Sequence, residues 1–243
     1  MNGGSDRQAY DRGVSVFSPD GRLYQVEYAR EAVRNGTAVV GVCGSNGVVL
    51  AADARTRSPL LADGSVEKLH DVDGRLGAAT AGHVADGRRL VEFARRRAQT
   101  ERLRYDEPID VASLSTAVAD HVQEATQAGG TRPFGAGLLV AGTTSDGPGL
   151  FEVDPSGSPS EWHATAIGGG ATTARERLED GYDRGIDVLA ARDLALSALA
   201  ETVDDGFAPA DVSVAVLDGD GYRSLDDGER ASALDEAGVR RAS

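Results

Sequence analysis

The stretch NGTAVVGVCGSNGVVLAAD, residues 35–53, decides how the chain folds. It contains two short apolar runs, 37–42 and 47–53, and the Cys-Gly-Ser-Asn sequence between them is typical of a turn. Both runs are almost continuously apolar, so we expect two neighbouring strands in a sheet that is covered on both faces. Such a sheet requires further layers of structure on each side.

The rest of the chain supplies these layers. Helical periodicity, with Pro108 suited to a first turn, predicts helices over 22–34, 83–101, 108–128, 171–183 and 188–203. Apolar runs predict further strands at 76–82, 135–143, 150–154 and 212–218. This order predicts an α+β protein, a four-layer αββα sandwich in which two sheets pack face to face between pairs of helices.

The polarity of the two chain ends divides the sequence into three parts. Residues 1–12 are polar and without periodicity, so we expect a mobile tail. Residues 13–223, including the helix over 22–34, form the single domain. Residues 224–243 are again polar, and we expect a loosely held C-terminal tail.

The composition is strongly acidic, with 39 acidic against 25 basic residues and a net charge of −14. This charge argues against nucleic-acid binding. Lys68 is the one lysine, and such an acid-rich, lysine-poor surface is typical of a protein in a high-salt cytoplasm, where salt screens self-repulsion. A GC-rich genome that favours Ala, Gly and Arg is the alternative explanation.

Cysteine, histidine and hydropathy indicate a protein of the cell interior without a metal. The single Cys43 lies in an apolar run, where we expect a buried structural thiol, and it cannot form an internal disulfide. The four histidines show no ligand spacing with one another or with Cys43, so we expect neither metal nor cofactor. The sequence has no long apolar segment and no signal-peptide core, which predicts a cytoplasmic protein without membrane contact.

Gly36 precedes Thr37, and cleavage between them would give a threonine with a free amino group. Such an N-terminal nucleophile needs its hydroxyl, its own amine as base, and a lysine and an acid nearby. Asp53 and Lys68 are candidates for the acid and the lysine. Thr37 can equally open a strand, and Asp53 can equally close one, so spacing leaves both interpretations open.

The residues before Thr37 argue for a structural role. SPDG, residues 18–21, is a strong turn, and the helix over 22–34 carries two apolar stripes, which predicts contacts on two sides. A segment destined for removal needs no such architecture. If it is permanent, Thr37 stays amide-linked and its base never exists.

The stretch YDRGVSVFSPDGRLYQVEYAREAV, residues 10–33, closely resembles the N-terminal signature of archaeal proteasome α subunits. The resemblance continues through NGTAVVGV, SVEKLH (65–70), TRPFG (131–135) and TAIGGG (165–170), and so covers nearly the whole chain. It implies the sandwich of the N-terminal-nucleophile hydrolase fold and, with the acidic composition, a haloarchaeal member of the family.

The resemblance implies a non-catalytic subunit. Seven α subunits form a ring in this family, and two such rings cap the β subunits that hold the active sites. The ring gates the entry of unfolded protein substrates. The resemblance also implies that contacts between neighbouring subunits hold this gate open, and that these contacts are made by Tyr10, Asp11, Arg12, Pro19 and Tyr28.

The resemblance also implies a pocket for the C-terminal tail of a regulatory AAA ATPase. Lys68 would bind the tail's carboxylate, Gly82 would let the tail approach the backbone, and Glu27 would complete the pocket. Gly169 stands where catalytic subunits usually have a serine, so the trio around Thr37 is explained as a remnant of common ancestry. The rival hypotheses are an active threonine hydrolase that uses Thr37, and a stand-alone binding module.

Overall fold

Two five-stranded antiparallel sheets form the centre of the computed structural model, which describes residues 24–56, 58, 60–62, 65–127, 132–144 and 147–239. The helices are α1 Tyr24–Arg34, α2 Val84–Tyr105, α3 Val111–Gln127, α4 Ala171–Gly181, α5 Val188–Ala200 and α6 Asp227–Glu236, with a 3₁₀ turn at Pro209–Asp211. The strands are β1 Val39–Cys43, β2 Val48–Asp53, β3 Leu69–Asp71, β4 Leu76–Gly82, β5 Ala136–Thr144, β6 Gly147–Val153, β7 Pro159–Glu161, β8 Ala164–Ile167, β9 Val212–Asp218 and β10 Gly221–Ser224.

The sheets form the two inner layers of a four-layer sandwich. The first sheet has the strand order β10-β9-β2-β1-β8, and the second has the order β3-β4-β5-β6-β7. Helices α4, α5 and α6 share a buried cluster with the first sheet, and α2 and α3 share one with the second. A third cluster lies between the sheets. The predicted αββα fold is confirmed.

The opening stretch is buried on both faces, as its composition predicts. In β1, Val40 and Val42 pack towards the helices, whereas Val39 and Cys43 pack towards the second sheet. Gly41 lies between them, and a Cβ there would sit 2.8 Å from Leu150 Cδ1 of the facing sheet. The absence of a side chain at this point therefore lets the sheets approach closely.

Cys43 is a buried thiol, as expected, with 6 % of its surface exposed. Its Sγ lies 3.8 Å from the carbonyl oxygen of Trp162. Burial, with a smaller contribution from the negative charge of Glu161, raises the pKa of the Cys43 thiol to about 12. The side chain is therefore a neutral packing group.

The C-terminal stretch differs from the expected loose tail. Asp226 accepts a hydrogen bond from Glu229 N, Glu229 accepts one from Asp226 N, and this capping box begins α6. Ala233 and Leu234 of α6 are fully buried in the cluster beneath the first sheet. The expectation of loose attachment is wrong for this helix, because buried apolar residues and the hydrogen bonds from Arg230 to the Pro209 and Leu225 carbonyls dock an otherwise polar segment.

Two further differences concern element boundaries and short strands. Pro108 precedes α3 and does not lie in its first turn, because Asp110 caps this helix by accepting a hydrogen bond from Ser113 N at 2.8 Å. The strands β3, β7, β8 and β10 have only three or four residues each, too few to show a period.

None of the described helices combines the length and apolar character needed to cross a bilayer.

Candidate functional site

The candidate site lies where α1 leads into β1. Thr37 is the second residue before β1, and its hydroxyl donates a hydrogen bond to the carbonyl oxygen of Asp53 at 2.8 Å. The ammonium of Lys68 donates to the carbonyl oxygen of Thr37 at 3.1 Å and also to its hydroxyl. The structure thus brings together the predicted threonine and lysine, because the segment before β3 passes beside the start of β1.

The third member of the trio, Asp53, has its carboxylate directed elsewhere. The side chain is 3 % exposed, and both of its oxygens accept hydrogen bonds from the guanidinium of Arg55, at 3.0 and 2.8 Å. The Arg55 guanidinium also lies over the ring of Phe207, 5.5 Å from its centroid. Hydrogen bonding to Asp53 raises the pKa of Arg55, so this pair stays charged. Asp53 is therefore an ion-pair partner of Arg55.

The amine that a nucleophilic threonine needs is held in the peptide bond to Gly36. The Gly36 amide donates to the carbonyl oxygen of Val33 at 3.0 Å, and its carbonyl accepts from Gly169 N at 2.7 Å. A Cβ on Gly36 would lie 2.5 Å from the backbone nitrogen of Gly82. The residue before Thr37 is thus packed between two other backbone segments, and in this arrangement Thr37 has no basic nitrogen.

Gly169 has a structural reason to lack a side chain. A Cβ at this position would lie 2.7 Å from the carbonyl oxygen of Gly36 and 3.2 Å from that of Arg34. A serine here would therefore collide with the end of the segment that precedes Thr37. Glycine at position 169 therefore leaves room for the segment that precedes Thr37. A serine that supports a nucleophile would not fit at this position while that segment is present.

Two of the three residues expected to form the tail pocket, Lys68 and Gly82, lie at this junction. Gly82, at the end of β4, has φ +110°, and a Cβ there would lie 2.4 Å from the carbonyl oxygen of Gly135. It contacts Gly36, while Lys68 contacts the adjacent Thr37. Glu27 lies on the adjoining helix α1, where it forms an ion pair with Arg30 at 2.8 Å.

Of the five expected gate residues, only Tyr28 is described. Tyr10, Asp11, Arg12 and Pro19 lie outside the described residues. Tyr28 is 71 % exposed, and Tyr24 lies one turn before it on the exposed side of α1. Val26 on the opposite stripe is buried, and Val33 packs against the cluster between the sheets. One stripe of α1 thus faces the domain and the other faces outward.

Sequence reasoning missed the ion pair that joins α1 to the second sheet. The Arg30 guanidinium donates twice to Asp154 Oδ2, at 2.8 and 3.1 Å, and Asp154 follows directly after β6. Burial raises the pKa of Asp154, but hydrogen bonds from Ser156, Arg30 and Ser158 outweigh it, so the pKa lies below its ordinary value. The two residues are 124 positions apart, and no local pattern connects them.

The described residues contain no group of three or more histidine, cysteine or acidic side chains placed to bind a metal ion. The arrangement around Thr37 has a hydroxyl, an ammonium and a glycine-lined backbone junction. It offers hydrogen-bond donors and a positive charge. While Gly36 remains attached, Thr37 has no free amine to act as a base.

The fold and this site define a protein of the N-terminal-nucleophile hydrolase fold in which a helical segment precedes the nucleophile position. Residues 33–217 match the family described as "Proteasome subunit", and residues 10–32 match the N-terminal signature of the A-type, or alpha, members of that family. The chain belongs to the proteasome subunit family, and the signature identifies it as an alpha subunit.

Similar curated proteins carry the same designation. The proteasome alpha subunit of Halobacterium salinarum is 55 % identical over 97 % of this chain and 94 % of its own length. The proteasome alpha subunit of Natronomonas pharaonis is 51 % identical, with 100 % of this chain and 96 % of its own covered. The proteasome alpha 1 subunit of Haloarcula marismortui is 52 % identical over 98 % of this chain and 92 % of its own.

We predict that Gly169→Ser destabilises the intact chain. The added side chain would displace the Gly36 carbonyl, and overpacking of this kind costs about 1–3 kcal/mol. The measurement is the free energy of unfolding in denaturant at high salt. Gly219→Ser is the matched control, because a Cβ at Gly219 would meet nothing within 4 Å. Equal stabilities of the two variants would contradict the packing argument.

Proposed function

We propose that the chain is a non-catalytic ring and gating subunit of the proteasome core. Seven copies, or copies of this and a second alpha subunit, would form an outer ring on the proteasome β subunits that hold the active sites. The observation that carries the proposal is the packing of Gly36, the residue before Thr37, against both Gly82 and Gly169. A threonine in this position has no amine with which to activate its hydroxyl.

The competing function is a threonine hydrolase that uses Thr37. The hydrogen bonds between Lys68 and Thr37 favour it, because an ammonium beside the hydroxyl is part of that chemistry. The Asp53 carboxylate, which pairs with Arg55, and the glycine at 169 both argue against it. A stand-alone binding module fits less well, because α1 exposes a stripe with two tyrosines that suits contact with a neighbouring subunit.

The mass of the chain in the assembled particle decides between these functions. We expect a mass near 25.2 kDa for the chain purified from its own cells with its partners, because the Gly36–Thr37 bond survives. A mass reduced by residues 1–36 would mean that the bond is cleaved. Thr37, Lys68 and Asp53 would then have to be considered an active site, and the proposed function would be wrong.

The N-terminal residues are proposed to gate the pore of the ring. The subunit is proposed to work in the cytoplasm of a halophile. Tyr10, Asp11, Arg12, Pro19 and Tyr28 would form the contacts between neighbouring subunits that hold the gate open. The match of residues 10–32 to the alpha signature supports this role, and so does the 71 % exposure of Tyr28. A phenol, a carboxylate and a guanidinium can form charge-assisted hydrogen bonds across a subunit boundary. Unfolded proteins would enter through this gate.

Deleting residues 2–12 should raise the basal hydrolysis of a small fluorogenic peptide by the assembled particle. The tails obstruct the pore in this proposal, so their removal should let the peptide enter without an activator. The rate is measured per assembled particle, since loss of assembly would lower it. An unchanged rate of peptide hydrolysis would contradict a gating role for residues 2–12.

Lys68, Gly82 and Glu27 are proposed to receive the C-terminal tail of a regulatory AAA ATPase. The Lys68 ammonium is held at the junction by its hydrogen bonds to the carbonyl oxygen and the hydroxyl of Thr37. A compact ammonium is a suitable partner for the terminal carboxylate of a tail. Gly82 lies at the same junction, and Glu27 lies on the helix beside it.

Replacing Lys68 by Ala should abolish ATPase-stimulated protein degradation by the assembled particle, because the tail carboxylate loses its cation. Unstimulated hydrolysis of a small peptide reports that the β active sites are intact in the same preparation. Since Lys68 also hydrogen-bonds to Thr37, Lys68→Met, which keeps the aliphatic stem, checks that the effect follows the charge and not the packing. Full stimulation of both variants would exclude Lys68 from the pocket.

A further inference from the structure

We infer that Asp154 is a positioning residue for the tail pocket: its carboxylate holds Arg30, and Arg30 in turn fixes Glu27 on the outer side of α1. The inference rests on the proposed function, because it assumes that Glu27 contacts a docked tail. It adds a residue from the turn after β6 that belongs neither to the N-terminal signature nor to the expected pocket.

One guanidinium joins the two carboxylates. Arg30 Nη1 donates to Glu27 Oε1 at 2.8 Å, while its Nη2 and Nε donate to Asp154 Oδ2 at 2.8 and 3.1 Å. The planar fork of arginine fixes the angle between these hydrogen bonds. The position of the Glu27 carboxylate is therefore coupled to that of Asp154, although the two belong to different elements.

Asp154 is itself held in place by the turn that follows β6. Its second oxygen, Oδ1, accepts hydrogen bonds from the backbone nitrogens of Ser156 at 3.0 Å and Ser158 at 3.3 Å, and from the Ser156 hydroxyl. Oδ2 is left for Arg30. Because the backbone orients the carboxylate independently of α1, Asp154 provides a pre-organised partner for Arg30.

A second ion pair on the same helix shows what Asp154 adds. Arg34 donates to Glu31 at the same i,i+3 spacing, but its hydrogen bonds go to that carboxylate alone among the described residues. The Arg34 and Glu31 side chains are 59 % and 56 % exposed, against 40 % and 25 % for Arg30 and Asp154. An exposed pair within a helix contributes little to stability and does not hold its side chains in one rotamer.

The contact also fixes the helix that carries Glu27. Near its C-terminal end, α1 packs through backbone and small side chains. Val33 lies beside Gly137, and Gly36, which follows the helix, packs against Gly82. The ion pair of Arg30 with Asp154 lies one turn earlier on α1 and at the end of β6. It therefore ties the half of the helix that bears Glu27 to the second sheet.

The test uses particles assembled from the full-length chain with its β partner and a short synthetic tail peptide. The peptide ends in a hydrophobic residue, tyrosine and one further residue with a free carboxylate, and its amidated form is the inactive control. Stimulation of small-peptide hydrolysis is measured against tail-peptide concentration for Asp154→Asn, Arg30→Gln, the double variant and Arg34→Gln. Thermal unfolding and assembly are measured on the same samples.

We expect Asp154→Asn and Arg30→Gln each to raise the half-maximal peptide concentration about fivefold, at the upper end of what a partly exposed ion pair contributes. The maximal stimulation at saturating peptide should be unchanged. The double variant should be no worse than either single variant, because both remove the same interaction. Arg34→Gln should behave as the unsubstituted chain.

Lys68→Met in the same assay separates the two possible failures. If Lys68→Met abolishes stimulation but Asp154→Asn responds as the unsubstituted chain, the positioning role is wrong and the proposed pocket stands. If Asp154→Asn changes the response only in proportion to a loss of assembled particle, its role is purely structural and the inference is also overturned. If Lys68→Met responds fully, the pocket itself is wrong, and the inference fails with it.

Discussion

The site depends on one packing constraint: three segments of the chain meet at glycine residues, where no side chain separates their backbones. Gly36 lies between Gly82 and Gly169, and a Cβ on any of these residues would lie less than 3 Å from the backbone of a neighbouring segment. Ala would already be too large at these positions. The junction brings the end of α1 against the ends of both sheets, and it thereby determines where the exposed stripe of that helix points.

The polar groups around Thr37 also hold strands of the fold together. The hydroxyl of Thr37 and the ammonium of Lys68 are in contact, yet the hydroxyl donates to the Asp53 carbonyl and so links the start of β1 to the end of β2. Arg55 neutralises the Asp53 carboxylate. Each of these polar groups thus has a structural partner, so a structural role alone can account for their presence.

The layers of the fold could be predicted from the sequence because continuous apolar runs and helical periodicity report burial directly. Lys68 was a candidate neighbour of Thr37 only as part of a possible nucleophile site, and the structure places the two in contact. The pairing of Asp53 with Arg55 was not predicted, since the sequence pattern of an aspartate at the end of a strand does not depend on which partner its carboxylate takes. Strands of three or four residues such as β3 carry no period, and the two fully buried residues of α6, Ala233 and Leu234, are too few to stand out in a polar sequence. The tie between Arg30 and Asp154 arises only from tertiary proximity.

The buried thiol of Cys43 has a consequence for how copies of the chain can associate. Its pKa of about 12 means that only about one thiol in 10⁵ is ionised at neutral pH, and the thiolate is the form that attacks disulfides and oxidants. Since the chain has no other cysteine, neighbouring copies have no accessible sulfur through which to crosslink. Crosslinking through Cys43 would therefore require the domain to open, and the association of folded copies rests on non-covalent contacts, which respond to the salt concentration.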